Sequence, residues 1–188
     1  MQEIIAIDFE TTGNNPGYNS LPWQIGMVVL RDGKVCPEEQ FCSFLHVPED
    51  YPFNQYVPGR WASVRKELAE APTLIELWPV LAKWLSGRYL MAHNVPVEKG
   101  ILQSFFPLHN FTNWLDSLTI ARKAFPKQNS YKLEDLIANL GLYNKVKKIC
   151  PDREAHDALY DAIACASLFE QVLTDPGWKK KYKNMLAK

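Results

Sequence analysis

The 188 residues contain no CxxC pair, no apolar run long enough to cross a membrane, and no excess of either charge. Each absence narrows the function. The four cysteines, Cys36, Cys42, Cys150 and Cys165, are scattered, so reduced thiols in a cytoplasmic protein are expected. Cys165 lies between Ala164 and Ala166 in a helical pattern and reads as core packing. No secretory leader or membrane association is expected. A formal net charge of zero argues against a strongly basic protein that coats duplexes, although local basic patches can still meet phosphates. Internal repeats, linkers and low-complexity tracts are also missing. With 47% hydrophobic and 22% charged residues, the chain has the make-up of a single globular domain with a sizeable core.

What is present is organised around Ile4 to Gly13, Ile-Ile-Ala-Ile-Asp-Phe-Glu-Thr-Thr-Gly. Four apolar residues read as a strand buried on both faces. Because side chains alternate along a strand, Asp8 and Glu10 share one face and Phe9 takes the other. Two carboxylates beside an apolar strand repel each other and resist desolvation, a cost that divalent cations would relieve.

Thr11 to Pro22 reads as loop. Trp23–Leu30 and Val35–Leu45 read as strands joined through Asp32-Gly33, a strong hairpin signal. Three prolines between His46 and Gly59 predict irregular chain. Helices are expected at Trp61–Ala69 and Leu74–Leu85, the latter interrupted by Pro79. A short strand is expected at Arg88–Ala92, followed by a helix opened by Pro96 with Val97, Ile101, Leu102 and Phe105 inward. A weak fifth strand, Asn113–Leu115, precedes helices at Ser117–Ala124, Ser130–Leu140 and Asp157–Leu173. Strands first and then strands alternating with helices predict an α/β domain with a mixed sheet, later strands parallel to the first.

Two further acidic stretches complete a pattern. Glu98 falls in the first turn of the helix after Pro96, at a strand end where ligands collect in open sheets. In His156-Asp157-Ala158-Leu159-Tyr160-Asp161, five helical residues correspond to roughly 140° of rotation, so His156 and Asp161 would not share a helix face. They converge only if His156 lies in the entering loop, with Asp157 as N-cap and Asp161 on the first turns. Asp8, Glu10, Glu98, Asp161 and His156 together form a set suited to two-metal phosphoryl chemistry. Carboxylate oxygens suit Mg²⁺ or Mn²⁺, and a neutral histidine can accept a proton from water.

These segments resemble the three motifs of the DEDDh 3′–5′ exonucleases, the family of the DNA polymerase III epsilon proofreading subunit and ribonuclease T. Asp8-Phe9-Glu10-Thr11-Thr12-Gly13 matches the first motif, His93-Asn94 through Glu98 to Leu102 the second, and His156-x-Ala158-x-x-Asp161-Ala162 the third. Asp116-Ser117-Leu118 with Ala121-Arg122, and Ser130-Tyr131 with Leu133 and Leu136, resemble the family's spacers. The similarity runs from residue 1 to about residue 173.

The resemblance implies an RNase H-like fold, a five-stranded mixed sheet flanked by helices. It implies that Asp8, Glu10 and Asp161 hold two Mg²⁺ or Mn²⁺ ions and that His156 is the general base. Thr11 and Thr12 would lie at the terminal nucleotide, and Asn94 near the second metal. Trp23-Gln24-Ile25-Gly26 resembles the following strand, with a packing role expected. The family usually has aspartate at Glu98 and phenylalanine at Val97; the longer Glu98 is still expected to serve the second metal. The implied reaction is metal-dependent removal of nucleoside 5′-monophosphates from single-stranded or frayed 3′ ends of DNA. A 3′–5′ exoribonuclease and a catalytically weakened nucleic-acid-binding module are the alternatives. Proofreading, DNA repair and turnover are equally open roles. Residues 1–175 are expected to form the exonuclease domain and 176–188 a basic, solvated C-terminal tail. Within that tail, Trp178, Lys179, Lys180, Lys181 and Lys183 could hold single strands, as could Lys145, Lys147 and Lys148 before the third motif.

Overall fold

A computed structural model describes residues 3–186, with side chains to residue 183; the last two residues of the expected tail lie outside the described residues. The first strand, β1 (Glu3–Thr11), sits at the centre of a five-stranded sheet. Its neighbours are β2 (Pro22–Arg31), antiparallel on one side, and β4 (Tyr89–Ala92), parallel on the other. β3 (Lys34–Phe44) pairs antiparallel with β2, and β5 (Trp114–Asp116) parallel with β4, giving the order β3-β2-β1-β4-β5. The β2–β3 hairpin turns through Asp32 and Gly33 at φ 51° and 77°. Positive φ at both central residues is the turn whose twist matches paired strands, as Asp-Gly predicts.

Strand alternation sorts the core into two layers. Ile5, Ile7 and Phe9 face one side with α2 (Trp78–Leu85) and α3 (Pro96–Phe105). Ile4 and Ala6 face the other, with α4 (Ser117–Ala124), α5 (Leu133–Asn139), α6 (Tyr143–Ile149) and α7 (Ala158–Val172). A smaller core of Trp23, Val47, Val64 and Leu68 lies beneath the loops and α1 (Arg65–Glu70).

α7 is buried nearly all round, including Ala162, Ala164, Cys165 and Ala166. Its small residues let it lie against the sheet, and Gly26 of β2 permits the closest approach. A Cβ there would stand 2.2 Å from the backbone of Ala158 and Leu159. Cys165 is core, as expected, with its thiol 3.2 Å from the Ser117 hydroxyl.

Several local expectations change. Trp61–Ala69 divides into a 3₁₀ turn, Trp61–Ser63, and α1. α2 starts at Trp78, so Pro79 falls in the first turn, where its missing N–H leaves no bond unmade. The preceding turn is closed by Thr73 and Glu76, each accepting the other's backbone N–H. Val97 is 43% exposed, whereas Glu98 is 4% exposed. The inward stripe of α3 is Glu98, Ile101, Leu102 and Phe105, so a carboxylate takes the place expected of an apolar residue. α5 starts at Leu133 rather than Ser130, because Lys132 is extended. α6 is an additional helix.

The C-terminal segment is also ordered as α8 (Pro176–Leu186) instead of solvated tail. Asp175 accepts the N–H groups of Gly177 and Trp178, and Tyr182 is buried edge-on against Phe169, with ring centroids 5.3 Å apart. Among the described residues no helix is long and apolar enough to cross a membrane.

Candidate active site

The sheet brings three distant stretches together at the C-terminal ends of β1 and β4. Asp8 and Glu10 lie opposite Gly26 and Gln24 of β2, projecting toward α7. They line a cavity of about 330 Å³ together with His93, Glu134, His156 and Asp161. His156 occupies the loop that enters α7, with φ at 67°. Asp157 is the N-cap, accepting from Leu159 and Tyr160, and Asp161 sits on the first turn. This arrangement resolves the 140° problem, since only Asp161 need be helical. The His156 backbone N–H donates to Asp161 Oδ2 at 2.9 Å. Glu10, His156 and Asp161 each offer a ligand atom within 4.8 Å of the others.

The entering loop is held from behind. Gln24, fully buried on β2, donates from Nε2 to Asp157 Oδ2 at 2.9 Å and accepts the Ala158 N–H at 3.1 Å. Arg153 donates to both Asp157 oxygens at 2.7 Å. Burial works against the Asp157 charge, but hydrogen bonds from Arg153 and Gln24 hold its pKa below the ordinary value. The expected packing role of Gln24 is therefore a polar one: it ties the third motif to the strand beside the first.

Asp8, Glu10, Glu98 and Asp161 are displaced upward. Burial raises Asp8 well above the ordinary range, reinforced by the charges of Asp161, Glu98 and Glu10. Glu10 is pushed up to about 8 by burial and by Asp161 and Asp157. Glu98 is pushed up to about 8 by burial, with Asp116 and Glu10 adding repulsion. Asp161 rises to about 7, burial outweighing the hydrogen bond from His156. Moreover, Glu98 Oε2 is buried with no hydrogen-bond partner among the described residues. Four mutually repelling carboxylates with an orphaned oxygen fit a divalent cation site of hard oxygen donors. Neutralising those charges is what a cation would contribute here.

The remaining motif residues occupy varied places. Thr11 is half-buried at the end of β1, its hydroxyl accepting from Gly13 N–H. Thr12 is fully buried. Its N–H donates to Leu21, its carbonyl accepts from Asn54, and its hydroxyl accepts the Leu21 N–H. Thr12 thus binds the two loops beside the site to each other. Asn94 is exposed at φ 86°, its N–H donating to Asp116. Lys145 and Lys147 pair with Glu170 and Glu154.

The residue types alone did not single out His93, Lys132 or Glu134 as cavity-lining groups, though each lies in or beside a quoted motif. His93 Nε2 faces the Tyr131 carbonyl at 2.9 Å and therefore carries the proton. Nδ1 accepts from the Ser117 hydroxyl, also at 2.9 Å. Burial lowers the His93 pKa, consistent with this neutral tautomer. Glu134 Oε2 lies 3.4 Å from His156 Nε2.

Residues 5–169 match the family model RNase_T, described as exonuclease. The chain belongs to this exonuclease family. Its relatives include the 3′-5′ exonuclease DinG of Bacillus subtilis, 26% identical over 180 residues, 92% of this chain and 18% of that protein. The PolC-type DNA polymerase III of Bacillus cereus is 23% identical over 178 residues, 93% of this chain and 12% of that protein. The chain thus spans under a fifth of the length of either relative. Among solved structures, the nuclease domain of 3′hExo, a DEDDh family member bound to rAMP, superposes with a TM-score of 0.72 at 18% identity, covering 93% of this chain and 92% of that one. E. coli Exonuclease I in complex with a dT13 oligonucleotide gives 0.67 at 15% identity, covering 97% and 43%. Both confirm the expected RNase H-like architecture of five mixed strands with flanking helices.

Proposed function

We propose that the chain is a DEDDh-type 3′–5′ exonuclease that releases nucleoside 5′-monophosphates from single-stranded or frayed DNA ends. The observation that carries this reading is the convergence of Asp8, Glu10, Asp161 and His156 on one cavity, with Glu98 buried beside them. In this reading Asp8, Glu10, Glu98 and Asp161 would hold two Mg²⁺ or Mn²⁺ ions. When bound, such ions supply charge neutralisation and Lewis acidity at the scissile phosphate. His156 accepts the proton of the attacking water. Its loop position leaves the ring 40% exposed, so it meets solvent at the cavity mouth. The bond from its own N–H to Asp161 sets the ring's position relative to the acidic cluster. Gln24 and Arg153 keep Asp157, and through it the entering loop, in register with β1.

Thr11 serves the terminal nucleotide, while Thr12 and Asn94 act by shaping the surrounding backbone. Residues 1–175 supply the catalytic unit and 176–188 an accessory basic segment. The thiols of Cys36, Cys42, Cys150 and Cys165 are unpaired, in keeping with a reducing, cytoplasmic setting. The rAMP in the 3′hExo structure favours one second reading, a 3′–5′ exoribonuclease.

A paired assay decides between them. It follows 5′-labelled single-stranded DNA and RNA of one sequence, with Mg²⁺ or Mn²⁺, using wild type and Asp8→Ala. Ladders that shorten from the 3′ end, and disappear with EDTA and in the variant, are the expected result. The faster polymer identifies the substrate. Binding without shortening of either polymer would overturn the enzymatic reading and leave a nucleic-acid-binding module.

A further inference from the structure

A second cavity, of about 230 Å³, opens at the free edge of the sheet between β5, α4 and α8. Trp114, Ile120 and Trp178 give it apolar walls, and Lys123 and Lys181 bring positive charge to it. The Lys181 ammonium lies 4.8 Å from the centre of the Trp178 ring. Trp114 and the helix that carries Trp178 have fixed positions. Trp114 Nε1–H donates to the Phe111 carbonyl at 2.8 Å. α8 is held by the Asp175 cap at one end and buried Tyr182 at the other. Trp178 and Lys181, three residues apart on α8, both border the cavity.

The cavity's one acid does not oppose an anion strongly. Asp116 accepts the N–H groups of Asn94, Leu118 and Thr119 and the Thr119 hydroxyl proton, so its charge is spread over four donors. Asp116 also joins the two cavities. It pairs with Ala92 across the β4–β5 ladder, immediately before His93 of the catalytic cavity. Asp116, on the wall of the second cavity, thus lies one strand away from the chain that lines the first. Aromatic walls, lysines with no salt-bridge partner among the described residues, and a wall residue one strand away from the catalytic cavity fit one ligand chemistry: a base with its phosphate.

We propose that this edge groove is a second nucleic-acid site, taking the single-stranded segment 5′ of the nucleotide being removed. A base stacks on Trp178 while Lys123 and Lys181 meet the backbone. The proposal rests on the exonuclease reading for its direction of threading. It gives α8 the task of holding substrate between successive cleavages.

The test compares the full chain with Trp178→Ala and with the double variant Lys123→Glu/Lys181→Glu, each first checked for an unchanged melting temperature. The charge variant keeps the test valid should Trp178→Ala loosen α8. Substrates are 5′-labelled oligothymidylates from about two to about sixteen nucleotides, a range that brackets single-strand site sizes. The expected result is a rise in KM of about tenfold for the longer substrates, with kcat unchanged and the shortest substrates unaffected. Equal effects at all lengths, or none, would overturn the proposal. Should wild type cleave nothing, the exonuclease reading fails separately. Fluorescence anisotropy of the longest oligonucleotide in EDTA then decides: weaker binding in both variants supports the groove, and unchanged binding overturns it.

Discussion

Replacing Glu98 by glutamine should make the metal-free protein more stable at pH 8 and leave its stability nearly unchanged at pH 5. Glu98 is 4% exposed, Oε2 has no partner, and its pKa is pushed up from 4.5 to about 8. A carboxyl with a folded pKa above its unfolded value holds its proton more tightly in the native state. Its contribution is complete below about pH 4.5 and is lost as pH rises toward 8, where the unfolded chain has already released the proton. The gap between 4.5 and about 8, at about 1.4 kcal/mol per pH unit, amounts to about 4 kcal/mol at pH 8. Glutamine has no proton to lose and nearly the same shape, so Glu98→Gln recovers most of that energy. For a chain of this size the gain corresponds to a rise in melting temperature of about 8–16 °C. The assay is thermal unfolding of both proteins in EDTA at pH 5, 6.5 and 8, repeated with Mg²⁺ at pH 8. The cation should stabilise wild type more than the variant. A variant less stable than wild type at pH 8 in EDTA, or a difference that does not shrink at pH 5, would refute the reasoning.

Gly26→Ala drives a methyl group into the backbone at Ala158 and Leu159; a loss of about 1–3 kcal/mol in denaturant unfolding, with reduced turnover, is expected. Gln24→Leu strips Asp157 of one donor and leaves the Ala158 N–H unpaired. Its expected cost is about 2–4 kcal/mol in the same assay. His156→Asn keeps a residue that tolerates positive φ, so stability should stay within about 1 kcal/mol of wild type. Turnover should fall by about 10²–10⁴ in single-turnover kinetics.

Much of the catalytic half was legible because it depends on short-range rules. The period-two alternation placed Asp8 and Glu10 on one face, and helix geometry required His156 to leave the helix before Asp157 could cap it. The turn chemistry of Asp32-Gly33 and the span of α4 follow equally local signals. What escaped depends on partners far along the chain. The apolar spacing of α3 favours Val97 on its inward face, and only the second motif, not periodicity, directs Glu98 to the site. Gln24 reads as packing until Asp157 lies behind it, 133 residues later. Lys145 and Lys147 read as free cations until Glu170 and Glu154 meet them. α8 looks like a fraying terminus because its anchors are the Asp175 cap and one tyrosine, Tyr182, whose partner Phe169 lies on another helix.

The central position of β1 divides the site into parts with different resistance to local opening. The backbone of Ile4 to Ala6 is paired on both sides, to β2 and to β4, and Asp8 and Glu10 extend directly from that ladder. Amides there should exchange with solvent only when the whole domain unfolds. His156, in contrast, rides on a surface loop at positive φ, fastened through Asp157 and one bond to Asp161. Mild denaturant should therefore free the histidine while the acidic cluster is still assembled. A partly loosened molecule would keep its affinity for divalent cations after it had stopped turning over substrate.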